Sequence, residues 1–158
     1  SDLDHPANDL LRPYGMAFEA RHLFAPIPDR QGDFAVTHFA GHPAVSGVTR
    51  YMTNWAQSLA IVAPGTGLAW TGSDAWEDTD RSDSYTSGDR TGPFTVAAAY
   101  DEGCGRVAAV SDNDFQDDAF DYRANDVLMR ALLRWVTDGQ ACAADRALHL
   151  PLLLRPKR

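Results

Sequence analysis

The chain has 158 residues and a mass of 17.3 kDa, with 44% hydrophobic and 23% charged residues, which suits one ordinary domain over residues 1–158 burying roughly two thirds of its unfolded surface. No apolar run approaches the ~20 residues needed to cross a bilayer, so a membrane span is excluded, and the composition is that of a folded soluble domain. With 14 Lys and Arg against 22 Asp and Glu the formal charge is −8, a field that repels polyphosphate and anionic lipid and argues against a nucleic-acid partner.

Asp4 as a cap, Pro6 in the first turn and apolar Leu10 and Leu11 predict a short helix between Asp4 and Tyr14, closed by Gly15. No basic segment followed by an apolar core precedes it, so no signal peptide is expected. From Met16 to Phe24 the alternation of Phe18, Ala20, His22 and Phe24 with polar neighbours predicts a half-buried strand ended by Pro26 and Pro28. Phe34, Val36 and His38 repeat the alternation more weakly, and Gly41-His42-Pro43 with Gly47 then predict a turn-rich loop outside the core.

Residues Val48 to Ala63 fit two patterns, a helical face of Tyr51, Trp55, Leu59 and Val62 or a strand pair; the strand pair is favoured. Leu68 to Thr71 reads as a brief strand. The stretch from Ser73 to Gly92, rich in Asp, Ser, Thr and Gly, reads as a long exposed loop, with Trp76, Tyr85 and its carboxylates available for polar recognition. Phe94 to Tyr100 and Arg106 to Val110, separated by Asp101-Glu102-Gly103-Cys104-Gly105, form the best hairpin in the sequence. An acidic loop, Ser111 to Asp121, follows. The strongest helix comes next, with Val127, Leu128, Ala131, Leu132, Trp135 and Val136 on one stripe, Asn125 as its cap and Gly139 as its stop. The apolar run from Leu148 to Leu154 is too short for an anchor and reads as a packing segment or linker. Strands followed by a covering helix predict a layered α/β domain.

In open α/β sheets ligands gather where strands end, which makes the loop after Val110 the first candidate site. Its carboxylates, Asp112, Asp114 and Asp117, can ligate a divalent cation such as Ca²⁺ or Mg²⁺, and Asn113 and Asn125 add polar contacts. As an EF-hand the loop fails, because Asp117 stands where glycine is needed and Arg123 where glutamate is needed; the alternative is a solvated loop that complements the helix dipole. Asp2, Asp4 and His5 make a second polar cluster, set against a frayed terminus. His38 and His42 are four apart without an intervening acid, and Gly41 and Pro43 bar a metalloprotease helix, leaving His42 as a ligand candidate or a structural turn residue. No Gly-x-Ser-x-Gly elbow is present, and Cys104 sits in a hairpin turn; a Cys104–Cys142 disulfide, implying an oxidising compartment, is one outcome of the expected packing.

Several ordered segments carry a family resemblance: Asn8-Asp9-Leu10-Leu11 with Tyr14-Gly15-Met16-Ala17-Phe18, His42-Pro43 with Gly47-Val48, Thr71-Gly72-Ser73-Asp74-Ala75-Trp76, Gly92-Pro93-Phe94 with Ala97-Ala98-Ala99, Ser111-Asp112-Asn113-Asp114-Phe115, and Leu133-Arg134-Trp135-Val136. Together they resemble the later part of class I glutamine-amidotransferase-like domains, in the uncharacterised branch that includes the auxiliary domains of gliding-motility-type ABC transporters. The resemblance implies a flavodoxin-like three-layer α/β sandwich, incomplete at its N-terminal side, in an extracytoplasmic or membrane-associated setting, without the catalytic cysteine and with a second chain as one way to complete the fold. The expected function is a non-catalytic domain binding a protein partner, small ligand or glycan without a resident cofactor. The alternative is a hydrolase, metal-assisted through Asp112 and Asp114 with His42, completed by residues outside the chain.

Overall fold

Short β-rich segments separated by Gly, Pro and Asp turns favour antiparallel pairing, because a tight turn cannot return a strand parallel to its predecessor. The computed structural model describes residues 5–102, 105–112 and 125–138, and every strand pair in them is antiparallel. After a short helix α1 (Asn8–Leu11) come β1 (Met16–Phe24), β2 (Asp33–Val36), β3 (His38–Phe39), β4 (Tyr51–Asn54), β5 (Gln57–Ile61), β6 (Thr66–Trp70), β7 (Trp76–Glu77), β8 (Arg90–Thr91), β9 (Thr95–Glu102), β10 (Gly105–Val110) and helix α2 (Asn125–Thr137). One sheet has the order β5-β1-β7-β8, a second β10-β9-β6-β3, and β2 with β4 forms a ribbon.

The flavodoxin-like three-layer α/β sandwich is therefore corrected, and the amidotransferase-like resemblance falls with it. That fold needs parallel strands joined by crossover helices, and here the neighbours are joined by turns or meet over long range in opposite directions. The expected strands and the strong helix do form. The β9–β10 hairpin runs in register from Gly105 opposite Glu102 to Val110 opposite Ala97, and β4 and β5 occupy the ambiguous stretch. They pair not with each other but with β2 and β1. The predicted first helix is shorter, with a 3₁₀ turn over Arg12–Tyr14 before Gly15 adopts φ 71°. Asp4, its expected cap, lies outside the described residues.

Strand β9 is covered on both faces. Val96, Ala97 and Ala99 join a large core with Tyr51, Leu68, Leu128 and Trp135, while Ala98 faces a second core of Leu11, Met16, Leu59 and Ala109. Its small side chains let the layers approach closely. On α2, Leu128, Leu132 and Trp135 are buried at i, i+4 and i+7, whereas Val127, Leu133 and Val136 are exposed. The stripe expected from the sequence is thus narrower than drawn. The turn after Gly41 is not peripheral either: Ala44 and Val45 lie in the main core.

Two buried asparagines stand in for missing strands. The Asn8 amide donates from Nδ2 to the Phe18 carbonyl at 2.9 Å and accepts the Phe18 N–H on Oδ1 at 2.7 Å. Asn125 does the same to Met52, with both bonds at 2.8 Å. One amide side chain thus satisfies both backbone groups of a strand residue, the two-bond exchange a neighbouring strand would provide.

Candidate functional site

Between β6 and β9, which pair directly, the chain makes an excursion whose foot is sewn shut by Thr71 and Phe94: the Thr71 N–H donates to the Phe94 carbonyl, and the Phe94 N–H to Thr71 Oγ1, both at 2.9 Å. Within it β7 and β8 pair, placing Glu77 opposite Arg90. The stretch expected to be one long exposed loop is therefore a hairpin arm, and only residues 78–89 form its loop.

These twelve residues begin and end on aspartate. Counting Asp78 as position 1, Asp80 stands at 3, Ser82 at 5, the Ser84 carbonyl at 7, Thr86 at 9 and Asp89 at 12, the positions from which an EF-hand loop draws its oxygen ligands. Position 6, where that loop turns sharply on glycine, is Asp83 at φ 61°, one of the few non-glycine residues that tolerates the left-handed region. Asp78 accepts the Ser82 N–H at 3.2 Å and the Asp83 N–H at 3.0 Å. Asp80 accepts the Ser82 N–H at 2.9 Å and the Thr86 hydroxyl at 3.1 Å. Asp89 receives the backbone N–H of Thr79 at 2.8 Å and of Thr86 at 2.7 Å.

One ligand oxygen from each of Asp78, Asp80 and Asp89 lies within 4.8 Å of the others. Oxygens on opposite sides of a Ca²⁺ at about 2.4 Å are about 4.8 Å apart, so the three could hold one ion. Hydrogen bonding from Ser82 holds the Asp80 carboxyl below its ordinary pKa. At Asp89 burial pushes the other way, but the N–H groups of Thr86 and Thr79 outweigh it, and its pKa is lowered too. Both carboxylates are thus ionised above their ordinary 3.8, the form a cation needs.

Beside the arm, Glu77 is buried at 2% exposure. Arg90 Nη1 reaches Glu77 at 3.0 Å and Glu19 at 3.1 Å, and the Ser58 hydroxyl donates to Glu19. Burial raises the Glu77 pKa above its ordinary 4.5 despite the attraction of Arg90, with the Glu19 charge adding to the rise. The network closes the base of the loop.

The residues nominated from the sequence are distributed differently. His42 Nδ1 accepts the Ala44 N–H at 3.1 Å, capping the 3₁₀ turn Pro43–Val45, and its ring meets Trp135 edge-on. Asn125 spends its amide on Met52 instead of capping α2. Asp112 lies near enough to Tyr51 for its charge to add to the burial that raises the phenol pKa. Trp135 is ten residues along α2 from Asn125, roughly 15 Å of helix, so His42 and the Asn125 contact lie towards opposite ends of that helix. Asn113, Asp114 and Asp117, like Asp2, Cys104 and Cys142, lie outside the described residues. His5 caps locally, accepting the Ala7 N–H on Nδ1.

No protein-family model matches the chain, and no curated protein matches it. Among solved structures it is similar to the mmIFT52 N-terminal domain, with a TM-score of 0.63 and 15% sequence identity, over 87% of this chain and 60% of that one. That likeness defines the fold class, a mostly antiparallel β architecture, and again departs from an amidotransferase-like flavodoxin fold. At this identity it speaks for the fold alone, and the chain spans 60% of that structure's length. No helix among the described residues is long and apolar enough to cross a membrane.

Proposed function

We propose that this chain is a non-catalytic binding domain whose 78–89 arm is organised by a calcium ion. The observation that carries the reading is the coincidence of spacing and position: three aspartates at 1, 3 and 12 of a twelve-residue loop, with a ligand oxygen of each inside one ion's reach. Calcium suits this set better than magnesium because serine, threonine and carbonyl oxygens make an irregular, large shell, whereas magnesium demands a tight octahedron. In place of the two helices of an EF-hand, the paired β7 and β8 hold the ends. His42 Nδ1 and the Asn125 side-chain amide serve backbone groups, which favours binding over turnover.

The test is thermal unfolding of the full chain with calcium or magnesium against chelator. Calcium at a hundred times its dissociation constant adds about 2.7 kcal/mol, which raises Tm by roughly 5–10 °C in a protein of this size. Asp80→Asn, a substitution at an exposed position, removes most of that rise while leaving the chelated protein near its original Tm. An unchanged Tm at millimolar calcium refutes the reading.

A further inference from the structure

A groove of about 570 Å³ lies between α2, the turn after His42 and the turn end of the β9–β10 hairpin, a volume within the range of ligand sites. One wall is the helix. Val127, Ala131 and Trp135 follow one another along it at i, i+4 and i+8, with Arg130, Arg134 and Asp138 beside them, and eight residues of helix are about 12 Å long. Pro43, Ser46 and Gly47 form a second wall. That wall is held in place, because Ala44 and Val45 within it are buried and the His42 ring meets Trp135 edge-on at 5.3 Å.

The charges on the groove are not equivalent. Arg106 is fully engaged: Nη1 donates to the Trp135 carbonyl at 2.6 Å, Nε lies 3.4 Å from Asp101, and the guanidinium carbon is 5.1 Å from the centre of the Trp135 ring. Arg130 pairs with Asp126 at 3.6 Å, one turn back. Arg134 and Asp138 differ from both. Each is exposed, and among the described residues no ion pair or side-chain hydrogen bond engages the guanidinium of the one or the carboxylate of the other. The Asp138 N–H donates to the Arg134 carbonyl at 2.7 Å, which keeps the two residues one turn apart. A free cation and a free anion thus stand in order along the groove, preceded by Val127, which is 41% exposed.

We infer that this groove docks an extended peptide segment of another protein, with an aliphatic side chain on Val127 and Ala131, a carboxylate side chain on Arg134 and a cationic side chain on Asp138. Side chains on one face of an extended chain recur about every 6.5 Å, and four residues of helix advance about 6 Å. Arg134 and Asp138 therefore match residues i and i+2 of such a chain, and Val127 with Ala131, lying before Arg134, takes residue i−2. The order of charges selects the partner, since a run of acidic residues meets Asp138 and a run of basic residues meets Arg134. No ligand of the 78–89 loop takes part, so the inference goes beyond the calcium reading and stands apart from it.

The experiment is a nuclear magnetic resonance titration of the full chain, in chelator, with acetyl-Leu-Thr-Glu-Thr-Lys-amide and with the reversed acetyl-Lys-Thr-Glu-Thr-Leu-amide, following the amide signals of Gly47 and Ala131 and the Trp135 indole. One of the two peptides is expected to move these signals at millimolar concentration. Glutamine in place of its glutamate, or Arg134→Gln in the protein, is expected to weaken it about three- to fivefold, the scale of an exposed ion pair. Arg134 has no side-chain partner to lose, so the variant keeps the fold. Arg134→Glu is expected to reject the peptide and to bind instead the version with lysine in place of glutamate, a rescue that a structural role of Arg134 would not produce. Signals unmoved by either peptide, equal affinity for the glutamine version, unchanged affinity in Arg134→Gln, or the same movements with acetate and methylammonium alone overturns the inference. The amide signals of residues 78–89 in a separate calcium titration bear on the arm alone, so either reading can fail without the other.

Discussion

Arg90→Met is expected to lower the stability of the protein at pH 7 by about 1–3 kcal/mol, the cost of leaving the buried Glu77 carboxylate without its half-exposed cationic partner. Glu77 is almost fully buried, and Arg90 is the cation that reaches both it and Glu19. Without the guanidinium two neighbouring carboxylates, Glu19 and Glu77, face each other beside the sheet with no cation between them. Methionine keeps an apolar stem but loses the guanidinium, whose carbon lies 5.4 Å from the centre of the Phe94 ring, so the loss measures the charge, its hydrogen bonds and that cation–π contact. The pH dependence follows from the raised pKa of Glu77. Its protonated form favours the folded state, so this contribution is fully present below the ordinary 4.5 and is lost as pH rises through the folded value. The penalty of Arg90→Met therefore shrinks as the pH falls towards 4, and Glu77→Gln in the Arg90→Met background restores most of the loss at pH 7. Denaturant unfolding of the two single variants and the double variant at pH 4 and pH 7 measures this. Equal penalties at both pH values, or strictly additive losses, contradict it.

Asn125→Ala is expected to cost about 2–4 kcal/mol, because it leaves both the N–H and the carbonyl of Met52 without their partner beneath α2. A residue that merely capped the helix would cost about 1 kcal/mol. Amide hydrogen exchange at Met52 separates the two roles: its protection falls to that of a frayed edge in the variant, while a capping role leaves it unchanged. Asn125→Asp is a sharper probe, since it keeps one acceptor but places a carboxylate oxygen against the Met52 carbonyl.

Much of the local structure was legible in the sequence. The apolar alternation of Phe94 to Val110 and the helical stripe from Val127 to Val136 are local signals, and they form the β9–β10 hairpin and α2. What a period of two does not encode is the neighbour: β1 pairs with β5 and β7, and β4 with β2, across long stretches of chain. Ordered short motifs therefore pointed to a parallel α/β sandwich, and antiparallel long-range pairing overruled them. The polar residues that looked available for chemistry were largely needed by the backbone itself, since a buried N–H or carbonyl must find a partner. His42 at Ala44 and Asn125 at Met52 show this. The arm is the opposite case. Its twelve-residue spacing from Asp78 to Asp89 is present in the sequence, but it is disguised by Asp83 in place of glycine and Asp89 in place of glutamate. Only the backbone shows Asp83 in the left-handed conformation that makes the substitution workable.

Calorimetric titration of calcium into the full chain at neutral pH tests the central claim most directly. One ion per chain is predicted, with Asp78→Asn, Asp80→Asn and Asp89→Asn each weakening it at least about tenfold, a loss of about 1.4 kcal/mol. A titration with no binding heat at any temperature, or an affinity that all three substitutions leave intact, would place the cation elsewhere or nowhere and contradict the account.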